Sequence, residues 1–392
     1  MSAEAKASGN TNNTPMEWTF WICALWVLYA FVGYPVGVFL LARLVNRSVG
    51  KEGITPSVTV VIAAYNEVRN IVATVTNKLE QDYPSGKLKI IVVSDESTDG
   101  TDAAVDQLQN PRVSLMRQTP RQGKTAALNL ALAEVDSEIV VFSDANSLYS
   151  PTAIRQLVGN FADPEVGYVT GRMVYRSEDN SAVGDGCSLF MRLENWLRAE
   201  ETRLGSVVGV DGGVDAVRRR LYEPMSADQL PDFVLPLRVR GQGYRVVYEP
   251  EAFLGEDALD NSTAEFRMRV RVSLRALWTL FDLRELLNPL RYGLFSWQLL
   301  SHKVLRYTAF IPLLALLPLS ILLAPEARIY QLALVFQIIF YLVALIGAVV
   351  RSPGSVLGVP WYFVLVNLAS GKAFWKFLRG EKQVIWQPRV GA

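Results

Sequence analysis

The sequence predicts an α/β domain on a mostly parallel sheet, flanked at both ends by apolar helices long enough to span a membrane. Three observations predict it. Short β-branched runs alternate with helical periodicity from Ser57 onward, the pattern of a parallel sheet with right-handed crossovers. The apolar runs lead into polar, turn-prone tips such as Ser94–Thr101 and Ser143–Ser147. Charge-free segments of spanning length lie on both sides of this block.

The elements come in order. After a linker at Asn46–Pro56, Ser57–Ala64 is a near-continuous apolar run, as expected of a strand covered on both faces. Val68–Glu80 reads as helix, Leu88–Val93 as strand, Thr101–Leu108 as helix and Val113–Met116 as strand. Lys124–Val135 has Ala and Leu at helical spacing, and Ile139–Phe142 is a fourth strand. The second half is more mixed. It gives a helix at Pro151–Asn160 capped from Ser150, a strand at Gly167–Tyr175, an amphipathic helix at Cys187–Arg203 and a Gly-rich extended stretch at Gly205–Val217. A helix at Ala227–Gly241, interrupted by Pro231 and Pro236, precedes a closing strand at Tyr244–Tyr248.

Trp18–Ala42, Tyr307–Pro325, Ile329–Val350 and Ser352–Gly371 carry no charge and read as four spans. The first is too long for an ordinary signal peptide and is followed by Arg43 and Arg47, so a retained anchor is expected. Arg43, Arg47 and Lys51 place the chain from Arg43 onward in the cytoplasm. Three later spans would leave the tail outside, against the same rule applied to Lys372, Lys376, Arg379, Lys382 and Arg389. A re-entrant Ser352–Gly371 would remove the conflict. The expected division is a disordered segment at 1–16, a spanning helix at 17–43, an α/β domain at 44–260 and a basic interfacial segment at 261–306. Two to three spans at 307–371 and a basic tail at 372–392 complete the chain.

The net charge of +1 over 392 residues argues against nucleic acid as a partner. Two distant cysteines, Cys23 and Cys187, offer no disulfide framework. A lone His302 excludes a multi-histidine metal site within the chain.

Ligands on parallel sheets collect at the carboxyl ends of the strands, where the polar tips fall. Asp95 interrupts an apolar run and can accept from a nucleobase N–H or a ribose hydroxyl; Ser97, Asp99 and Thr101 are explained by a turn and helix cap. Gly123–Thr125 lacks the upstream glycine of a phosphate loop, yet Lys124 at a helix start can neutralise a diphosphate, or simply be solvated there. Asp144 and Asn146 offer two oxygen ligands for Mg²⁺ or Mn²⁺, with an Asx-turn as the ordinary alternative. Asp232 is either a general base or a helix cap after Leu230–Pro231.

Taken together and in order, these segments resemble glycosyltransferase family 2 over most of Val58–Glu256. Ala63–Glu67 is similar to the family's first nucleotide-contact motif, Ser94–Thr101 to its second, Gly123–Asn129 to its third and Asp144–Asn146 to its metal motif. Gly212–Arg220 resembles the acceptor-side motif, and Pro231–Leu235 the catalytic Glu–Asp motif with Pro231 in place of Glu. Gly243–Ala252 completes the run. The resemblance implies a GT-A fold and an inverting transfer from a nucleotide-sugar donor, most often UDP-linked. It casts Asp232 as the base and Ala64, Tyr65, Glu67, Asp95, Lys124, Asp144 and Arg271 as donor contacts. Asp144 and Asn146 would hold the cation. Asn146 replaces a second carboxylate, and only Arg271 survives of the Gln–x–x–Arg–Trp motif of polymer-making members, where this chain reads Met268–Val272. Arg267, Arg269, Arg271 and Arg275 are instead expected along the membrane surface, near lipid phosphate or the donor diphosphate.

The expected protein is an inner-membrane, multi-pass glycosyltransferase with its catalytic domain facing the cytoplasm. It would add sugar to a lipid-linked or growing glycan acceptor in surface polysaccharide synthesis. The alternatives are a processive polysaccharide synthase and a non-enzymatic nucleotide-sugar-binding scaffold or transporter.

Overall fold

A computed structural model describes residues 14–176, 182–257, 262–350 and 354–383. The expected disorder at 1–16 and the end of the basic tail fall almost wholly outside these residues. The amino-terminal helix runs as α1 (Pro15–Leu28) and α2 (Tyr34–Val45), joined through a widened turn at 29–33. Thr14 caps it reciprocally with Glu17, which satisfies two otherwise orphaned backbone donors.

The α/β block alternates β1 (Val58–Ala64), α3 (Ile71–Leu79), β2 (Leu88–Asp95), α4 (Thr101–Asp106), β3 (Val113–Gln118), α5 (Lys124–Glu134) and β4 (Ile139–Asp144). Then come β5 (Leu148–Tyr149), α6 (Ala153–Gly159), β6 (Val166–Arg176), α7 (Ala182–Leu204), β7 (Asp215–Arg218), α8 (Pro231–Gly241) and β8 (Arg245–Asp257). The eight strands form one sheet in the order β3-β2-β1-β4-β7-β6-β8-β5. β3, β2, β1 and β4 run parallel, β7 is antiparallel to both its neighbours, and β6 pairs parallel with β8.

Alternate residues of β1 serve opposite faces. Val60 and Ile62 pack with Ile71 and Val75 of α3 and Ile154 and Leu157 of α6. Val61 packs on the other face with Leu128 and Leu132 of α5 and Val234 and Leu235 of α8. Burial on both faces explains the unbroken apolar run.

The structure corrects several expectations. The helix expected from Ala227 begins at Pro231, because proline lacks the amide that a first-turn position does not need. Of Gly205–Val217 only the end is strand, as the start of Asp215–Arg218, and Gly205, Gly212 and Gly213 have positive φ. The closing strand runs on to Asp257.

The remaining helices are α9 (Ser262–Asp282), α10 (Pro289–Tyr292), α11 (Leu294–Leu299), α12 (Leu305–Tyr307), α13 (Phe310–Leu323), α14 (Arg328–Val349) and α15 (Gly354–Leu378). Among the described residues two helices are long and apolar enough to cross a membrane, Pro15–Val45 and Arg328–Val349. The pair Leu294–Tyr307 and Phe310–Leu323, bent by 58°, makes up to three if counted as one span. The described part of the segment read as a last span lies in α15, which packs on the α/β domain. Ala369 and Ala373 meet Val270, Leu274 and Leu277 of α9, and Tyr362 meets Cys187 and Met191 of α7. An apolar helix face suits a neighbouring helix as well as lipid, so composition alone does not separate the two.

The end of the described chain returns to this domain. Lys382 Nζ lies 2.6 Å from Asp228, and Trp278 Nε1 donates to the Glu381 carbonyl at 2.9 Å. The last described residues thus lie against the same domain as α9.

The basic row also differs from expectation. Arg275 is buried and donates to the backbone carbonyls of Ala227, Asp228 and Gln229. Arg269 donates to Glu265 and to the Tyr362 hydroxyl. Arg271 lines a cleft of the α/β domain. One face of α9 is covered by α15, so Arg269 and Arg275 are held by protein partners, Arg271 borders the cleft as a donor contact would, and Arg267 alone of the four is exposed.

Candidate active site

Parallel register brings the strand tips together. Asp144, the last residue of β4, pairs with Ala63 of β1, and Ala64 pairs with Ser94 of β2. Asp95 pairs with Gln118 of β3. The tips open into a cleft of about 650 Å³ lined by Ala64, Tyr65, Glu67, Asp95, Lys124, Asp144, Asn146, Asp232 and Arg271. Every residue cast from the sequence as base, donor contact or cation ligand therefore borders one space.

The loops after β1 and β2 are laced to each other. Asn66 donates its amide N–H to Ser97 Oγ at 3.1 Å and accepts from the Thr98 amide at 2.8 Å. Asn66 and Glu96 hold positive φ there. Glu67 accepts from Asn70 at 3.0 Å; its pKa is raised by burial, with that hydrogen bond opposing. The Arg121 guanidinium lies 3.5 Å from the Tyr65 ring centroid.

Asp95 has a task that the sequence did not reveal. Its carboxylate accepts from Gln118 Nε2 at 2.5 Å and from the amides of Gln122 and Gly123, both at 2.9 Å. Charge-assisted bonds of this kind are roughly twice as strong as neutral ones. They hold the loop that starts α5, and with it Lys124.

Lys124 Nζ sits 2.7 Å from Asp144 Oδ1 and 3.6 Å from Asp232 Oδ2. Burial opposes its charge, but the two carboxylates outweigh it and its pKa ends above the ordinary value. Asp232 lies in the first turn of α8, on the wall facing β4. Burial raises its pKa, the Lys124 charge works the other way and Asp144 adds to the rise. The side chains of Asp144 and Asp232 remain 34% and 24% exposed, open to the cleft.

Gly212 and Gly213 lie against the two carboxylates. A Cβ on Gly212 would come within 2.6 Å of the Asp232 carboxylate, and one on Gly213 within 3.3 Å of Asp144 Oδ2. Both have positive φ, which glycine adopts without strain.

Among the described residues no group of three or more His, Cys, Asp or Glu could hold a metal. The donor set still fits a hard divalent cation. Asp144 and Asn146 place a carboxylate and an amide oxygen on one turn at the cleft, and such ions are often held by one or two carboxylates plus substrate phosphates.

Asp215 was passed over in the sequence. It lies in β7 opposite Phe142 and Thr170, is 1% exposed, and its pKa is pushed up to about 8 by burial and by the charge of Asp232. An aspartate within the short apolar run from Val214 to Val217 was the available signal. In the unfolded chain it ionises near 4, so it costs stability progressively between about pH 4 and its folded value. Asp215→Asn is expected to raise the unfolding temperature at pH 7.5 by about 3 °C or more. The gain should vanish toward pH 4, as thermal unfolding at both pH values will show.

A cleft on the carboxyl edge of a mixed sheet, with cation-type oxygens on one wall and a carboxylate facing them, defines the GT-A class of glycosyltransferases. The Glycosyl transferase family 2 model matches residues 59–222. The chain carries a family 2 glycosyltransferase domain. It is similar to a beta-monoglucosyldiacylglycerol synthase of Nostoc sp., 27% identical over 176 residues, covering 44% of this chain and 38% of the relative. It is also similar to a poly-beta-1,6-N-acetyl-D-glucosamine synthase of Staphylococcus aureus, 26% identical over 202 residues, covering 50% and 48%. The chain thus spans about half the length, or less, of these curated relatives. A mannosyltransferase from Pyrobaculum calidifontis, solved with GDP-Man and Mn²⁺, has the same fold, with a TM-score of 0.69 at 24% identity over 91% of this chain and 99% of that one.

Proposed function

We propose that the protein is a membrane-bound inverting glycosyltransferase that moves a sugar from a nucleotide-sugar donor, UDP-linked, to a lipid-linked or growing glycan acceptor. The observation that carries this reading is the placement of Asp232 across the cleft from Asp144 and Asn146, with Lys124 between them.

The donor diphosphate would lie against Lys124 and the Asp144–Asn146 turn, and the acceptor hydroxyl beside Asp232. Asp232 takes the hydroxyl proton as the acceptor oxygen bonds to the anomeric carbon and the carbon–diphosphate bond breaks. A raised pKa suits this role, because a base acts best when its pKa approaches the working pH. Lys124 stabilises the charge that grows on the departing diphosphate, usually the largest catalytic contribution. Mg²⁺ or Mn²⁺ held by Asp144 and Asn146 would neutralise further phosphate charge.

The apolar helices and the names of the relatives support a membrane setting. Arg43 and Arg47 come directly after the first apolar stretch and pair with Glu200 at 2.8 Å and Glu165 at 2.6 Å on the catalytic domain, so they fasten that domain beside it. A cytoplasmic catalytic face and an inner-membrane site are the corresponding proposals.

The test is incubation of membranes containing the protein with labelled UDP- and GDP-sugars, with and without Mg²⁺ or Mn²⁺. Label should become lipid-extractable or enter glycan in a cation-dependent way. Absence of transfer from every donor in the panel overturns the proposal, and product length separates single addition from polymerisation.

A further inference from the structure

Behind the Asp144–Tyr149 turn lies a buried lysine that the proposed chemistry does not use. Lys78, in α3, has no exposed surface and is among the largest fully buried side chains of the protein. Its ammonium donates to the Ser147 carbonyl, and to Asn77 Oδ1 at 3.1 Å, and sits 3.7 Å from the Tyr149 ring centroid. Its immediate partners are two oxygen acceptors and the negative face of a ring. Burial lowers its pKa well below the ordinary value and the Asp144 charge works the other way.

The same face of α3 grips the turn at two more points. Thr74 Oγ1 donates to the Ala145 carbonyl at 2.7 Å. Asn77 donates to the Tyr149 carbonyl at 3.0 Å and accepts from the Tyr149 amide at 2.8 Å. Positions 74, 77 and 78 share one face because they are three and four residues apart. Tyr149 carries the contact onward, its hydroxyl lying 2.7 Å from the carbonyls of both Phe142 and Gly213. Gly213 adjoins Gly212, which abuts Asp232.

Burying an ammonium costs several kcal/mol before its partners are counted, and an apolar side chain of similar size avoids that cost. Stability alone therefore gives weak reason for a lysine here. Its position gives a stronger one: it holds the backbone of the turn from behind, while Asp144 and Asn146 face the cleft from the front.

We infer that Lys78 is a positioning residue for the cation-binding turn, fixing the Ser147 carbonyl so that Asp144 and Asn146 present their oxygens together to a divalent cation and a diphosphate. It touches neither sugar nor diphosphate. The inference rests on the proposed donor site. Groups that orient metal ligands from behind are typically worth 10- to 100-fold in metal affinity or activity.

The test is Mn²⁺ binding by electron paramagnetic resonance on the full chain in detergent, with UDP and with GDP present. Lys78→Met, which keeps the apolar stem, is expected to weaken nucleotide-dependent Mn²⁺ binding by about 10-fold or more. The Mn²⁺ concentration giving half-maximal transfer should rise in parallel, with the acceptor KM little changed. Thr74→Val removes one grip without touching the charge and should shift Mn²⁺ binding the same way by about 3-fold, a share of the same effect. Unchanged Mn²⁺ affinity in folded Lys78→Met overturns the inference. If that variant does not fold, unchanged affinity in Thr74→Val overturns it. Failure of the unaltered chain to bind Mn²⁺ with either nucleotide removes the donor reading itself, and the inference with it.

Discussion

Replacing Asp232 by asparagine is expected to cut sugar transfer by a factor of about 100 to 10,000 while donor affinity changes only a few-fold. That factor corresponds to about 3–5 kcal/mol of barrier. The substitution keeps the size of the side chain and removes its ability to take a proton. Lys124 keeps its closer partner, Asp144, at 2.7 Å, so the donor side of the cleft retains its charge balance. The raised pKa of Asp232 adds a second readout. The acid limb of the kcat/KM profile should lie above the ordinary carboxylate range, because Asp232 must be ionised to act. Donor binding by calorimetry and transfer by labelled product check both parts. Equal losses of binding and transfer would make Asp232 a donor-binding group rather than the base.

Glu201→Ala is expected to destabilise the protein by about 3–5 kcal/mol. Glu201 is fully buried on α7 and joins three parts of the chain. Its Oε1 accepts from the Tyr34 hydroxyl of the first apolar helix at 2.5 Å and lies 2.7 Å from His302 Nδ1, while Oε2 accepts from the Val208 amide at 3.2 Å. His302 Nε2 lies 3.0 Å from Glu194, which also accepts from Arg306 at 2.6 Å. Truncation strands these partners in the buried interior, and an orphaned buried polar group bears its full desolvation penalty. Burial raises the Glu201 pKa, but His302 and Tyr34 outweigh it, so the group ends lowered. A lowered carboxylate stabilises above its unfolded pKa near 4 and loses that contribution as pH falls through the folded value. Arg47→Ala at the exposed Arg47–Glu165 pair is the control, expected to cost no more than about 1 kcal/mol. Thermal unfolding in detergent distinguishes the two, and equal small losses would deny this knot a structural role.

Much of the fold was legible because its signals are local. β1, β2 and β4 are buried on both faces, so their runs stand out without knowledge of partners. β5 was not legible, being two residues long and existing only through pairing with β8. Much of the cleft was legible too, since aspartates at strand tips and a lysine at a helix start announce themselves by position. Lys78 did not: on α3 it reads as an ordinary solvated lysine, and only the packing of the Asp144–Tyr149 turn shows where its ammonium ends. Asp215 likewise gives little away until β4 and β6 close on it.

Periodicity and residue type are properties of short stretches, so the alternation of strands and helices, the apolar helices and the chemistry available at the strand ends could be read locally. Packing of the whole chain set the rest: α15 lies on the catalytic domain, Arg269 and Arg275 are held by protein partners, Arg271 borders the cleft, and Asp232 faces Lys124 and Asp144. Each of these depends on contacts between residues tens to hundreds of positions apart. An apolar face or a charge does not specify its own partner; the packed chain does.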